Sequence, residues 1–180
     1  MPRLNSQSCI RTRGSLLPSF GIPLNEMSRV PTRDECLALL DRTHMPDNIR
    51  RHSVTVARVA CALARDLVEA GAELEVDRVE AIALLHDIGK ARGLETGGHH
   101  AKIGAAMLEE LGHGELAPAV RDHTGLDRAE VEGALTEALL VNYADKRVRH
   151  EEVVLLEERF ADLGDRYARS PEAYACLARL

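Results

Sequence analysis

The sequence is poor in aromatic side chains: it has no tryptophan, and aromatic residues make up 3% of its 180 residues. It also lacks an excess of basic residues, since its formal net charge at pH 7 is −6. A general nucleic-acid-binding protein relies on stacking rings and a positive surface. The composition therefore predicts no nucleic-acid partner.

Two further absences concern membranes and disulfides. No apolar run approaches the roughly 18 residues that cross a bilayer, which predicts no membrane partner. The four cysteines are isolated and form no Cys-x-x-Cys pair. Scattered single cysteines are typical of reduced thiols in the cytoplasm and argue against a disulfide scaffold or a zinc finger. The sequence therefore predicts a cytoplasmic protein.

The first 29 residues differ in composition from the rest. They are rich in Arg and Ser and carry a single acid, Glu26. Pro18, Gly21 and Pro23 interrupt the apolar stretch that a secretory signal would need. We interpret residues 1–29 as a disordered or artefactual extension, with a transit peptide as the alternative. Residues 30–180 then form one domain, long enough to bury a core.

Hydrophobic periodicity predicts helices almost throughout residues 30–180 and no strand. Thr32 and Glu35 have the spacing of a capping box at the start of the first helix. Glycines at 97 and 98 predict a flexible loop over residues 91–99. The predicted fold class is therefore all-α, a single helical bundle. The predicted helices cover about 32–43, 46–70, 77–88, 100–111, 116–123, 127–148 and 151–169, followed by a short helix after Ser170.

Five of these helices place a histidine or an aspartate at one end of the apolar stripe that faces the core. A single buried histidine is most often satisfied within a core, but several buried imidazoles and carboxylates can satisfy one another only by converging. Nitrogen and oxygen ligands that converge inside a helical bundle form a metal site. The predicted metal ligands are His52, His86, Asp87, His100, His123 and Asp145.

The ligand types indicate which ions such a site holds. Mixed imidazole and carboxylate ligands favour Fe, Mn, Co, Ni or Zn over Ca and Mg. Six ligands are too many for one open catalytic ion but suit two ions that share a carboxylate, and Asp87 is the natural bridge. Two such ions supply a bridging hydroxide for attack at phosphorus. Asp87 is therefore predicted as a catalytic residue as well as a ligand.

Three basic residues follow the predicted ligands closely. Lys90 lies three residues after Asp87 and is predicted to hold a phosphate, as a catalytic and substrate-binding residue. Lys146 and Arg147 follow Asp145 and are predicted as substrate-binding residues. Basic residues at a helix C-terminus also have an ordinary explanation in the helix dipole. Other nucleotide and hydrolase motifs, GxxxxGK[ST], GxGxxG, GxSxG and HExxH, are absent.

The motif LLHDIGK at 84–90, preceded by His52 and followed by Asp145 in NYADKRV, resembles the HD-domain superfamily of metal-dependent phosphohydrolases. This resemblance implies an α-helical HD bundle over residues 30–180, with His52, His86, Asp87 and Asp145 as the minimal metal set. The segments HHAKIGAAML and RDHTG are similar to those of HD-type bacterial diadenosine tetraphosphate hydrolases. That likeness implies the six-ligand, two-metal form. The DGxGYP stretch of the HD-GYP cyclic-di-GMP phosphodiesterases is absent.

These observations predict a hydrolase that cleaves a phosphate ester or anhydride of a small nucleotide. Its cofactors would be two divalent transition metal ions, and an oligomer is left open. A mono-metal nucleotidase that uses only the minimal set is one alternative. A non-catalytic HD module that binds a ligand or regulates a partner is another.

Overall fold

A computed structural model describes residues 29–125 and 133–167. Helices dominate these residues, which confirms the all-α class, and the small exception is a two-stranded antiparallel hairpin. A short 3-10 turn at Gly114–Leu116 precedes α6. The elements are α1 (Arg33–Arg42), α2 (Asp47–Glu69), α3 (Val76–Leu85), α4 (Lys90–Thr96), α5 (His100–Glu110), α6 (Ala117–Asp122), α7 (Glu137–Lys146), β1 (Val148–Arg149), β2 (Glu152–Val153) and α8 (Leu156–Tyr167).

The long helix α2 lies at the centre of the bundle and packs against α3 and α7. Its buried face is built from small and medium side chains, among them Val56, Ala57 and Ala60. Small residues let helix axes approach closely, and α3 fills the space with the fully buried Ile82 and Leu84. The second layer consists of α5 packed on α4 and α6. None of the described helices is both long enough and apolar enough to cross a membrane.

The first two helices begin where the sequence predicts. Thr32 caps α1 and forms the complete capping box with Glu35. Hydrogen bonds from Arg29 and Thr32 lower the pKa of Glu35 to about 2. The second helix follows Pro46 and ends before Gly71, whose φ of +98° suits glycine.

The segment after α3 departs from the prediction. The third helix ends at Leu85 and not near residue 88, and residues 86–89 form a turn. A new helix, α4, then begins at Lys90, so the expected loop over 91–99 was wrong for residues 91–96. Gly89 does not end α3, as the sequence predicted, but stands directly before α4, so the glycine by itself indicates only the break between the two helices.

The C-terminal half also differs from the predicted pattern. Thr136 caps α7, so this helix starts at Glu137; residues 133–136 are not helical, so the expected single helix over 127–148 was wrong there, and residues 127–132 lie outside the described part of the chain. The prediction that helix 151–169 follows directly was wrong as well, since a hairpin covers residues 148–153 and α8 starts at Leu156. Strands of two residues are too short to show alternation, so nothing in the pattern signals them. The proposed extension up to residue 28 and the helix after Ser170 lie outside the described residues.

Candidate metal centre

The six predicted ligands come together at one place in the bundle, each at or near the end of a helix. His52 lies in the first turns of α2, His86 and Asp87 follow α3, and His100 opens α5. His123 follows α6, and Asp145 lies near the end of α7. His86 and Asp87 are 1% and 2% exposed, whereas the side chain of His100 is 28% exposed. The centre therefore has a closed inner side and an open side at α5.

The ligand atoms form two clusters that share one carboxylate. The first cluster is His52, His86 and Asp87, and the second is Asp87, His100 and His123; within each, the ligand atoms lie within 4.8 Å of one another. Asp87 Oδ2 lies 3.4 Å from His86 Nε2. Asp87 Oδ1 lies 3.4 Å from His100 Nε2 and 3.5 Å from His123 Nε2. Each oxygen of Asp87 thus faces a different cluster.

Asp145 completes the first cluster. Its Oδ1 atom lies 3.0 Å from His52 Nε2 and 3.8 Å from His86 Nε2. On the other side of the centre, the Nε2 atoms of His100 and His123 are 3.3 Å apart. The two clusters are therefore chemically unequal, since the first holds an additional carboxylate and the second does not.

Backbone carbonyl groups fix the orientation of three of the imidazoles. The Nδ1 atoms of His52, His86 and His123 lie 2.9, 2.7 and 2.6 Å from the carbonyl oxygens of His150, Ala83 and Val120. A carbonyl oxygen only accepts, so each Nδ1 carries a hydrogen, and Nε2 is the atom left to take up a proton or a metal ion. Metal-binding histidines are held in this way.

The nitrogen and oxygen atoms that face one another at the centre need a cation between them. His86 Nε2 is fully buried and has no hydrogen-bond partner among the described residues. The atoms around it are carboxylate oxygens of Asp87 and Asp145. Lone pairs that face one another in a buried space are stable only with a proton or a metal ion between them. The donor set thus fits divalent ions such as Mn, Fe or Zn.

The pKa shifts describe the same competition between protons and metal. Burial opposes ionisation of Asp87, but the positive charges of His86 and Lys90 outweigh it and hold the pKa of this carboxyl well below its usual value. Burial also opposes protonation of His86, yet the neighbouring Asp87 and Asp145 raise its pKa. Burial is the main reason that the pKa of His100 falls to about 4. At neutral pH, Asp87 is therefore a carboxylate and His100 a neutral ligand.

Two of the three predicted substrate-binding cations lie at the centre. Lys90 Nζ is 2.7 Å from Asp87 Oδ2, and its side chain is 37% exposed. Lys146 Nζ is 2.8 Å from Asp145 Oδ2. The structure places Arg147 elsewhere: its Nε donates to the carbonyl of Val154 and its Nη1 to the hydroxyl of Tyr143. The structure therefore brings the two lysines to the centre and leaves the guanidinium of Arg147 on the hairpin.

Close backbone contact between two glycines positions His100. A Cβ added to Gly89 would lie 2.2 Å from the carbonyl oxygen of His100 and 2.4 Å from the nitrogen of Gly104. A Cβ added to Gly104 would lie 3.2 Å from the nitrogen of Gly89. The turn after α3 and the first turn of α5 therefore touch along their backbones. This contact brings His100 next to Asp87.

Sequence reasoning missed the groups that orient the ligands. Backbone carbonyls such as that of His150 have no signature in the residue pattern. No role was predicted from the sequence for His150, which has a φ of +57° and whose carbonyl oxygen faces Nδ1 of His52. Asn142, which donates to the carbonyl of His123, was also missed. The one signal in the sequence was an Asn within the predicted helix, three residues before Asp145.

We expect the His150→Pro variant to bind metal more weakly and the His150→Gly variant to bind it as the wild type does. Proline is restricted to φ of about −65° and cannot hold the conformation that presents the carbonyl to His52. Glycine adopts a positive φ without strain, so it removes the imidazole and keeps the carbonyl. Loss of an orienting partner weakens metal affinity about 10–100-fold.

Isothermal titration of both variants with Mn²⁺ measures this effect. Wild-type affinity in His150→Pro would contradict the role of the hairpin carbonyl. A matching loss in His150→Gly would assign the effect to the side chain instead.

Comparison with known proteins gives one family. A family model described as HD domain matches residues 49–170. Ribonuclease Y of Acidothermus cellulolyticus is 33% identical over 158 residues, which cover 80% of this chain and 30% of that protein. Ribonuclease Y of Thermobifida fusca is 35% identical over 144 residues, 77% of this chain and 26% of the relative. Ribonuclease Y of Fervidobacterium nodosum is 40% identical over 105 residues, 58% of this chain and 19% of the relative.

These relatives are several times longer than the matched segment, so this chain spans less than a third of each of them. The matches support the expected superfamily. They do not support the expectation that the diadenosine tetraphosphate hydrolases are its nearest relatives. No solved structure matches the chain.

Proposed function

Because this chain belongs to the HD domain family of metal-dependent phosphohydrolases, we propose that it hydrolyses a phosphate ester or anhydride of a small nucleotide with two divalent ions. One observation carries the proposal: the ligand atoms form two clusters, and Asp87 belongs to both. A mono-metal enzyme has no need for a second cluster that is equally well assembled.

Each ion would have its own histidines. The first would be held by His52, His86 and Asp145, the second by His100 and His123, with Asp87 between them. Two ions bound side by side lower the pKa of a water molecule and stabilise the charge that develops at phosphorus during displacement. The closed side, formed by His86 and Asp87, keeps bulk water from the first cluster, and the exposed His100 leaves the approach open.

The two lysines would bind the phosphate oxygens. Each Nζ pairs with a carboxylate oxygen of a candidate ligand, Lys90 with Asp87 and Lys146 with Asp145. Each ammonium has three donors, so each lysine could donate to a phosphate oxygen, the more so if a metal ion took its place beside the carboxylate. Lys90 and Lys146 contact different ligand carboxylates, so they can contact different oxygens of the same group.

The charges around the centre favour a small substrate. Arg51 pairs with Asp47 and Glu151, and Arg149 pairs with Glu152. Of the described basic side chains near the hairpin, Arg51 and Arg149 are therefore paired with acidic groups and Arg147 is bound to a carbonyl and a hydroxyl, an arrangement that does not favour a long phosphate backbone. A compact nucleotide held mainly by its phosphates fits this arrangement.

RNA is the second candidate substrate, because the relatives reported above are named ribonuclease Y. Cleavage of an RNA phosphodiester would use the same two clusters and the same lysines. The candidates differ in what lies beyond the reacting phosphate, since RNA requires contacts to neighbouring nucleotides.

The first experiment measures metal content and its dependence on one ligand. Elemental mass spectrometry of protein purified without chelator is expected to give about two ions per chain for the wild type and about one for His123→Ala. About one ion in both proteins would contradict the two-ion centre and favour the mono-metal nucleotidase.

The second experiment compares substrates. Wild type loaded with Mn²⁺ is assayed on nucleoside phosphates, dinucleoside polyphosphates and a short RNA, with Lys90→Ala as the matched variant. We expect turnover of a small nucleotide that chelator abolishes and that Lys90→Ala lowers about 10–100-fold. Cleavage of RNA without turnover of any small nucleotide would contradict the proposed small substrate and support RNA as the substrate. No turnover in metal-loaded protein would favour the non-catalytic module.

A further inference from the structure

Asn142 is a buried polar residue that takes no direct part in the two ligand clusters. It lies on α7, is 6% exposed, and donates from Nδ2 to the backbone carbonyl of His123 over 2.6 Å. In the part of the chain that the structure describes, this is the one hydrogen bond between α7 and residues 117–125. The amide of Asn142 therefore joins α7 to the residue that ends α6.

The segment that carries His123 has little support of its own. The helix α6 has six residues, too few to be stable alone, and its last carbonyl groups lack helical partners. One of these carbonyls, on Val120, accepts from the His123 ring, and that of Asp122 accepts from the nitrogen of Gly125. The carbonyl of His123 takes its hydrogen bond from Asn142. Ring and backbone of His123 are thus fixed by two different contacts.

The position of Asn142 on α7 connects the two clusters. Asp145 follows it by three residues, so the two side chains lie on neighbouring positions of one helix face. Asp145 belongs to the first cluster through His52 and His86, whereas Asn142 reaches the second cluster through His123. A single short helix thereby sets the distance between ligands of both clusters.

We propose that Asn142 is a positioning residue for the second metal ion, because its amide holds the backbone of His123 so that Nε2 faces Asp87. This inference rests on the proposed two-ion function. It assigns Asn142 an effect on one cluster and not on the whole centre. Without the amide hydrogen, the carbonyl of His123 is buried without a partner, and the turn at residues 123–125 shifts to find one.

The experiment uses the full chain with Asn142→Leu and Asn142→Ala. Leucine keeps the branched shape of the side chain and removes the donor, and alanine is a smaller second variant without a donor in case leucine prevents folding. The matched control is Thr136→Ala, which removes the N-cap hydrogen bond of the same helix, six residues before Asn142. Each protein is titrated with Mn²⁺. Binding is measured by isothermal titration calorimetry and by electron paramagnetic resonance, and the latter distinguishes a coupled ion pair from a single ion.

We expect the wild type and Thr136→Ala to bind about two ions and to show the coupled spectrum. Both Asn142 variants should keep the first ion at wild-type affinity, bind the second about 10–100-fold more weakly, and show a single-ion spectrum at two equivalents. A coupled pair at wild-type affinity in a folded Asn142 variant overturns the inference. Parallel loss of both ions also overturns it, because the residue would then support the fold of the whole centre.

The failure of the proposed function gives a different result. If the wild type itself binds one ion or none, the two-ion proposal fails, and the inference about Asn142 fails with it. If the wild type binds a coupled pair and only the Asn142 result is negative, the proposed function stands.

Discussion

The Asp87→Asn variant is expected to lose both metal ions and to fall in turnover by about a thousandfold or more. Among the residues that the structure describes, Asp87 is the one common to the two ligand clusters, and each of its oxygens lies near a different set of histidines. The amide of asparagine has nearly the same shape but carries no charge and only one acceptor atom. It therefore cannot bridge two ions and is too weak a ligand to retain either of them.

Metal content and thermal unfolding both measure this loss. Wild type at a free Mn²⁺ concentration of 100 times Kd gains about 2.7 kcal/mol for each independent site, and its Tm rises accordingly. We expect no such rise in Asp87→Asn. The matched control is Asp66→Asn, which makes the same chemical change on the exposed side of α2 and should bind metal as the wild type does. Two bound ions in Asp87→Asn would contradict the shared carboxylate.

The second large effect is expected for Gly89→Ala, a change of one methyl group. The added Cβ would meet the carbonyl oxygen of His100 at 2.2 Å and the nitrogen and Cα of Gly104 at 2.4 and 2.9 Å. All three are backbone atoms, so no side-chain rotation relieves the overlap. The backbone angles of Gly89, φ −82° and ψ −3°, are accessible to alanine, which means that lack of space alone causes the effect.

We expect Gly89→Ala to lower the free energy of unfolding by roughly 3 kcal/mol or more, which corresponds to a fall in Tm of about 6–12 °C. The added methyl group disrupts the backbone contact that positions His100. The fraction of the variant that still folds should therefore lose the second ion. Gly114→Ala is the control, because the nearest atom to its added Cβ is Glu109 Cγ at 3.8 Å. That variant should unfold within about 1 kcal/mol of the wild type. Equal stability of the two variants would contradict the packing argument.

Much of the candidate site was predictable from the residue pattern. The 3.6-residue period places His52 and His100 on the same faces as the apolar residues of their helices, and that information is local to each helix. The burial cost of an unpartnered imidazole or carboxylate then requires the residues to meet. The HDIGK motif indicated the HD-domain family, and the family model that matches residues 49–170 supports this assignment.

The boundaries of the later elements were less predictable. Most of residues 148–153 are charged, and the pattern predicted helices on both sides of them. Their two strands are only two residues long, which is too short to show the alternation of a strand. In the hairpin, β1 pairs with β2 across the turn at His150, and the side chain of Arg147 donates to the carbonyl of Val154. Those are contacts between residues whose spacing carries no period. The same contacts keep the guanidinium of Arg147 away from the ligands, although the sequence placed it directly after Asp145 and Lys146.

The sequence by itself determined the helical class, the six candidate ligands and the two lysines, because each depends on a short-range pattern or on the chemistry of one residue type. Only the tertiary structure decided how the ligands divide into two clusters around Asp87, which nitrogen of each histidine faces inward, and which groups hold them there. That division depends on the backbone contact between Gly89 and Gly104 and on carbonyls such as that of His150. Helix periodicity shows which face of a helix is buried, but the approach of one helix end to another is set by packing between segments distant in the chain.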